Sequence, residues 1–483
     1  MLQKILYKYN QLSLPIKAAF WYTICNFVNK GISLLTTPIF TRLLTEEQYG
    51  IYSIYQSWIN IIIIFTSLNI FMSSYIKGLI KYKNDKDNFT SSQIGLIFTI
   101  TIIIGSIMFI NADLMERILN IPKVLIYGML IELISMPIIE LWLAKERFDY
   151  KYKSIILITI GINILSIVIS IISIALTEYK IEARVFSNAL IRLIFVLPLF
   201  IVFIKNSKKL FNWKYWKYAL LFNIPLIPHY LSNFILTQSD RIMIGRLVGS
   251  SEAAYYSVAY TISTVVVLLI TATNNALTPY IYKSIENNDV DKIKKNMNPI
   301  ILIMACLVSM IMIFAPEIIY LFAGKNYMDA IYIIPPVAAS VFFIYIYSLF
   351  SNVEYFYQKT VLIAFATTIC AILNIVLNYY CISAFGYYAA GYTTLICYLF
   401  LALFHYFAYK FVLREKLPGK NDIYDIKLII YCSLFILIFM FLMVITYRVI
   451  FIRYLAFIII IVILFIFKDK ILKSINTFKG NKV

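Results

Sequence analysis

The chain has 483 residues, 61% of them hydrophobic and only 14% charged, with a mean hydropathy of +0.82. A soluble globule carries about 25% charged residues, so this composition excludes one and points to lipid as the main solvent. The formal charge of +19 does not lead to nucleic acid either: the lysines and arginines form short clusters beside apolar stretches, with no RNA- or DNA-binding motif among them.

A membrane-crossing helix needs about 20 mainly apolar residues. In chain order such stretches fall at 16–41, 47–76, 92–111, 123–144, 154–177, 182–204, 217–243, 253–281, 299–322, 330–353, 360–382, 387–409, 427–447 and 450–468, numbered spans 1 to 14. The connections are short, which leaves no room for an inserted soluble domain. Lys4, Lys8 and Lys17 precede span 1 as in a secretory signal. That run is too long and lacks a small-residue cleavage site, so it is expected to be retained, with residues 2–15 as an interfacial lead-in. The richness in Ile, Phe, Tyr, Asn and Lys suits an AT-rich bacterial genome.

Charge alternates along these spans. With the N-terminus cytoplasmic, the inner connections hold 31 of the 43 lysines and arginines, from Lys4 through clusters such as Lys77–Lys86, Lys145–Lys153 and Lys205–Lys217 to the Lys468–Lys482 tail. The outer connections hold nine: Arg42, Arg117, Lys123, Lys180, Arg184, Arg246, Lys325, Arg448 and Arg453. A missed or invented helix would scramble this alternation downstream. The bias therefore predicts an all-α polytopic protein of about fourteen transmembrane helices in the cytoplasmic (inner) membrane, both termini cytoplasmic. Lys30, Arg192 and Arg241 fall within spans, where this rule gives them no role.

An internal repeat accompanies the bias. Arg42-Leu43-Leu44-Thr45-Glu46-Glu47-Gln48-Tyr49-Gly50-Ile51-Tyr52-Ser53-Ile54 joins span 1 to span 2. Shifted by 204 residues, Arg246-Leu247-Val248-Gly249-Ser250-Ser251-Glu252-Ala253-Ala254-Tyr255-Tyr256-Ser257-Val258 joins span 7 to span 8. Six helices separate the copies, so the halves share one orientation, and spans 13 and 14 lie outside the repeat. This predicts lobes at 1–212 and 213–412, followed by 413–483 with the last two helices and a cytoplasmic tail.

The six cysteines and two histidines have no metal-ligand spacing, and no GxxxxGK[ST] loop occurs, so neither a metal, a cofactor nor ATP is expected within the chain.

At its joints, "TRLLTEEQYGIYSIYQ" at 41–56 and "IPHYLSNFILTQSDRIMIGRLVGSSEAAYYSVAY" at 227–260, with "LAKERFDYKYKSI" at 143–155 and "FGYYAAGYTT" at 385–394, the chain resembles Wzx-type polysaccharide-biosynthesis flippases of the MOP exporter superfamily. The resemblance implies two six-helix lobes around a central cavity, alternating access, and a polyprenyl-pyrophosphate-linked oligosaccharide as cargo. Such cargo belongs to O-antigen, lipopolysaccharide or capsule synthesis on undecaprenyl pyrophosphate, with a polymerase and a chain-length regulator as further partners. The resemblance also puts spans 1, 2, 7 and 8 at the cavity.

Charged groups at membrane depth are costly and face a protein interior or a wet cavity. Lys30 shares a helical face with Thr23, Asn26, Ser33 and Thr37, and Arg42 ends that span. Span 2 offers Gln56 and Asn60; span 7 offers Asn233, Thr237, Asp240 and Arg241, with Arg246 at its end; span 8 offers Thr271, Asn274, Asn275 and Thr278. Taking a diphosphate through hydrocarbon uncompensated would cost tens of kcal/mol. On the functional reading Lys30, Arg42, Arg241 and Arg246 attract the pyrophosphate, while amides and hydroxyls bond the sugar. On the structural reading Lys30 meets Glu132 or a carbonyl, Asp240 pairs with a nearby arginine, and Arg42 and Arg246 snorkel at the outer boundary. Glu132 and Arg192 form an interhelical pair, or Glu132 carries a coupling proton or Na⁺. His229, beside Pro225 and Pro228 in span 7, reads as a satisfied interior histidine rather than a proton relay; Pro225, Pro228, Pro279 and Pro335-Pro336 mark kinks or breaks. Most of the tyrosines, such as Tyr379 and Tyr387, are interfacial anchors.

The alternatives are a lipid II flippase, a MATE-like drug or cation antiporter, and a membrane polysaccharide polymerase or ligase. The short outer connections hold no acid/base cluster, which favours a transporter over an enzyme.

Overall fold

The computed structural model describes residues 9, 11–207, 209–287, 289–417, 422–469 and 472. Most of the expected lead-in, including Lys4 and Lys8, lies outside the described residues, as do Lys208, Lys420, Lys470, Lys473, Lys479 and Lys482.

Among the described residues there is no strand, and every predicted span is occupied by helix. Eleven helices are long and apolar enough to cross a membrane. The first two, α1 (Leu14–Leu43) and α2 (Glu46–Ser67), have the length, but their Asn, Gln, Thr and Lys residues lower the hydropathy; the last, Ile450–Ile466, has 17 residues.

The chain divides into two compact units, Met1–Phe234 and Ile235–Val483. In the first, α2 is followed by α3 (Ser74–Lys81), α4 (Lys86–Ile110), a short α5 (Ala112–Leu119), α6 (Lys123–Phe148), α7 (Tyr152–Leu176), α8 (Lys180–Asn206) and α9 (Trp213–Asn223). Helix α6 is its hub, packing on α2, α4 and α8, while α1 lies along α7. Helix α10 (Ile227–Leu247) straddles the unit boundary. The second unit continues with α11 (Ser250–Ser263), α12 (Val265–Glu286), α13 (Val290–Ile313), α14 (Ala315–Ala323), α15 (Ile334–Phe356), α16 (Thr360–Phe385), α17 (Ala389–Lys416), α18 (Ile426–Thr446) and α19 (Ile450–Ile466). Its hub is α15, whose most apolar window is 83% buried and which packs on α17, α13, α18 and α11.

Lipid tails are as apolar as leucine, so helices in a bilayer associate through close packing rather than water exclusion, which favours small residues at the contact. The α15–α17 contact follows that rule. Ala338, Ala339 and Ser340 of α15 and Ala390 and Gly391 of α17 are buried there, and a Cβ on Gly391 would stand 3.0 Å from the Pro336 ring.

Several predicted spans are broken. Span 2 stops at Ser67 because Leu68 and Asn69 both adopt left-handed backbone (φ 51° and 46°), and a 3₁₀ turn leads into α3. Span 7 is interrupted by a 3₁₀ turn at Ile224–Leu226 that holds Pro225; span 8 breaks at Thr264 without a proline, and span 9 breaks at Phe314, where Pro316 stands in the first turn of the next helix. Pro279, by contrast, sits inside a continuous α12, and Pro335-Pro336 open α15 rather than kink it, as the missing N–H of a first-turn proline allows. Both copies of the repeat form helix–helix joints. In the first, the Thr45 hydroxyl accepts from the Gln48 N–H (3.2 Å) and the Gln48 side chain accepts from the Thr45 N–H (3.1 Å), a reciprocal cap on α2. The second has Gly249 at that position and no side-chain cap.

Candidate functional site

Each unit carries a polar interior. In the first, α1, α6, α7 and α8 enclose a cavity of about 220 Å³. Its polar lining comes from Asn26 and Asn29 of α1, Glu140 and Arg147 of α6, Thr159 and Asn163 of α7, and Arg192 of α8. The wall is held by hydrogen bonds: the Asn163 amide donates to Asn29 Oδ1 (2.9 Å), and Cys25 Sγ meets the Thr159 hydroxyl at 3.2 Å. The side chains of Glu140 and Arg147 make no hydrogen bond or ion pair within the described residues, so two guanidinium groups and one carboxylate face the space.

Behind Arg192 a buried relay runs to α2. Arg192 Nε donates to Asn188 Oδ1 (3.4 Å), the Asn188 amide donates to Glu132 Oε1 (3.0 Å), and the Tyr55 hydroxyl reaches the same oxygen at 3.4 Å. Asn188 thus stands between Glu132 and Arg192, and Glu132 Oε2 has no hydrogen-bond partner among the described residues although the residue is 1% exposed. Arg184 is buried as well, donating to Ser170 Oγ (2.8 Å) with its guanidinium 4.0 Å from the Phe40 ring centroid.

The second unit has a sealed network. Asp240 on α10 accepts from the Tyr256 hydroxyl of α11 (2.5 Å), the Thr394 hydroxyl of α17 (3.0 Å) and the Asn378 amide of α16. Asn378 also donates to Asn374 Oδ1 (3.2 Å) and accepts from Thr393, and Ser239 donates to Asn374 Oδ1 (2.8 Å). Asp240, Asn374 and Asn378 are all fully buried. A carboxylate surrounded by donors on three other helices orders those helices and can accept a cation or proton only by exchanging partners. Neighbouring Arg241 does not pair with it: it donates to Thr237 O (2.7 Å) and Gln238 Oε1 (3.1 Å) and lies 4.5 Å from the Tyr260 ring centroid.

The other predicted residues are dispersed. Lys30 is exposed on α1, without a hydrogen bond or ion pair within the described residues, on a face where Thr23, Asn26 and Ser33 are exposed too. Arg42 and Arg246 are exposed at the ends of α1 and α10. Gln56 and Asn60 are half-buried on α2, and Gln56 Nε2 has no hydrogen-bond partner among the described residues. Asn233 is exposed and donates to the His229 carbonyl (3.2 Å); Asn275 is exposed on α12. Of the predicted set, the structure brings Asn26 and Arg192 to one cavity and gives Asp240 its own network.

Sequence reasoning did not pair Glu354 with His405. Nδ1 of His405 on α17 lies 2.8 Å from Glu354 Oε1 on α15, both fully buried, with Tyr347 stacked on the imidazole. Nor did it find Glu140 and Arg147. Their spacing of seven residues, two helical turns, puts them on one face of α6, although Arg147 lies beyond the predicted end of span 4. Arg453, counted with the outer connections, is buried against Glu317, bonding both carboxylate oxygens at 2.8 Å.

Helices of membrane length in two units, each with a polar interior, define a multi-pass membrane protein. The fold is similar to the lipid II flippase MurJ in an inward closed conformation, with a TM-score of 0.69 and 18% identity over 93% of this chain and 99% of that one. It is also similar to an inward-facing multidrug resistance MATE family transporter of the MOP superfamily, with a TM-score of 0.63 and 16% identity over 80% and 96% of the two chains. The family model for polysaccharide biosynthesis proteins matches residues 16–285, more than half of the chain, and the MatE model matches 225–380. The chain belongs to the polysaccharide biosynthesis protein family of the MOP superfamily. A protein of the Lsg locus of Haemophilus influenzae is 24% identical over 274 residues, 55% of this chain; the match spans 65% of that relative's length. An uncharacterized membrane protein of the same organism is 22% identical over 74% of this chain and 87% of its own.

Proposed function

We propose that the protein is a Wzx-type flippase, not an enzyme, that carries a polyprenyl-pyrophosphate-linked oligosaccharide across the cytoplasmic membrane by alternating access. The observation that carries this reading is the cavity of the first unit. There Arg147 and Arg192 supply two cations against one carboxylate, and Asn26, Asn29 and Asn163 supply amides that suit sugar hydroxyls. At about 220 Å³ it admits a diphosphate or one sugar ring, so the rest of the cargo lies elsewhere on the route.

On this reading the lobes at 1–212 and 213–412 move against each other, helices within 413–483 are appended, and both termini are cytoplasmic. Lys30, exposed and unpaired among the described residues, guides the pyrophosphate. Asp240, or Glu132 with its unpartnered oxygen, takes a coupling proton or Na⁺. The cargo is an undecaprenyl-linked repeat of O-antigen or capsule, passed to a polymerase and chain-length regulator. Lipid II transport is the second reading, favoured by the likeness to MurJ over 93% of the chain.

The test is genetic. Deleting the gene and restoring it as Lys30→Ala or Arg192→Ala is expected to block surface polysaccharide while lipid-linked units accumulate on the cytoplasmic side. Normal surface polymer in the deletion strain would sink the transport reading, and accumulation of lipid II instead would select the second one.

A further inference from the structure

Away from the cavity, the first unit carries a cleft of about 470 Å³ between α3 and α9, lined by Lys81, Tyr82, Lys214, Lys217, Tyr218 and Phe222. The four lysines around it, Lys77 included, are exposed, and none lies within ion-pair distance of a carboxylate among the described residues. Three are laid over aromatic rings instead: Lys77 Nζ is 4.7 Å from the Phe222 centroid, Lys81 Nζ 4.8 Å from Tyr218, and Lys214 Nζ 5.7 Å from Tyr82. An aromatic face attracts an ammonium without neutralising it, so the positive charge stays available to an anion. The nearest acid in sequence, Asp85, is occupied by the Tyr215 hydroxyl and the Asn88 amide.

The cleft is held rigidly. Asn223, fully buried at the end of α9, donates to Ser74 Oγ (2.7 Å) and accepts from Ser73, which ties α9 to α3. The Trp216 indole donates to the Ser92 carbonyl (2.9 Å) and the Gln93 amide to the Tyr215 carbonyl (3.3 Å), which tie α9 to α4. The chain enters α9 across Gly95, where a Cβ would lie 1.9 Å from the Leu210 carbonyl oxygen, so only glycine lets the backbones approach. Lysines needed only for topology do not require such a mount.

One wall is wet and cationic, while Leu221 beside it is 68% exposed and apolar, at the start of a membrane-length stretch, Trp213–Leu247. That pairing of charge with an apolar flank fits a ligand with a phosphate head and a hydrocarbon tail. We propose that the α3–α9 cleft is a binding site for the phosphate group of a membrane lipid, at the face where the charge bias puts the cytoplasm. The phosphate comes either from the diphosphate of the cargo lipid, as its first docking point, or from an anionic phospholipid; the former rests on the function proposed above.

The full-length protein in phosphatidylcholine nanodiscs would be titrated with farnesyl diphosphate and with phosphatidylglycerol, and retained lipid counted by native mass spectrometry. Wild type is expected to retain at least one of the two. K81Q/K214Q/K217Q is expected to bind it roughly a hundredfold more weakly, about fivefold per lysine removed. K81R/K214R/K217R, which keeps the charge, should retain it, which separates charge loss from misfolding. Preference for the diphosphate assigns the site to cargo, and preference for phosphatidylglycerol, or parity, to bulk lipid. Equal retention by wild type and the glutamine variant, or none by wild type, would overturn the site. Lysine-dependent phosphatidylglycerol binding in a protein that moves no lipid-linked sugar would keep the cleft and refute the flippase.

Discussion

The polar interiors of the two units are built on opposite plans. Around Asp240 the carboxylate takes three hydrogen bonds from three other helices with no exposed surface, and of the amides beside it only Asn374 Nδ2 has no partner among the described residues. Around Arg192 the partners run out: Asn188 and Glu132 back the guanidinium from one side, and the other side lines an open cavity with Glu140 and Arg147. A satisfied network fixes helix positions, because moving any member strands the others. An incompletely satisfied, water-accessible cluster does not hold the fold as tightly and is ready for a ligand. The contrast assigns a positioning role to the sealed network and a binding role to the open one.

The sharpest break of this contrast comes from the most deeply buried pair. His405→Ala leaves the Glu354 carboxylate unpaired at zero exposure and is expected to cost about 3–5 kcal/mol, seen as early thermal unfolding in detergent. The double replacement Glu354→Leu/His405→Phe should recover much of that loss, and a double variant as unstable as the single one would contradict the pair's account. Next in size, Asp240→Ala removes the acceptor for three buried donors and should cost about 1–3 kcal/mol, with transport falling in parallel. If stability held while dependence on a proton or Na⁺ gradient vanished, Asp240 would move from the positioning group to the ion-binding one.

Arg192→Ala and Arg147→Ala test the open side. Arg147→Ala, at an exposed position, should change stability by about 0.5 kcal/mol or less and Arg192→Ala, which gives up its bond to Asn188, by no more than about 1 kcal/mol, yet each should reduce flipping of lipid-linked oligosaccharide in proteoliposomes at least tenfold. A stability loss like that of Asp240→Ala would erase the distinction between the two interiors. The smallest stability effect belongs to Lys30→Ala, since Lys30 is exposed and has no hydrogen bond or ion pair among the described residues. Its melting curve should overlie that of wild type while surface polysaccharide is lost in cells.

The stretches of helix were legible because lipid demands long apolar runs, and a run of twenty residues is visible in any window. Their interruptions were less so. The break at Ser67 depends on left-handed Leu68 and Asn69, with no glycine or proline there, and the break at Thr264 has no proline either; for the break at Phe314, Pro316 was the available signal. Among polar residues, Lys30, Asp240 and Arg192 stood out as charges inside apolar runs. Their partners did not: Asn188, Asn378 and Thr394 are unremarkable until folding brings them alongside. Arg184 and Arg453, which the charge count treats as outer-surface cations, are buried against Ser170 and Glu317.

That this is a helical membrane protein, roughly where its helices run and which charges are anomalous follow from local hydropathy and spacing alone. Which anomalous charge is sealed and which is open follows from the packing of the helices. Satisfaction of a buried charge depends on atoms contributed by other helices, as Asn378 and Thr394 reach Asp240 from more than 130 residues away, and no local pattern encodes that meeting.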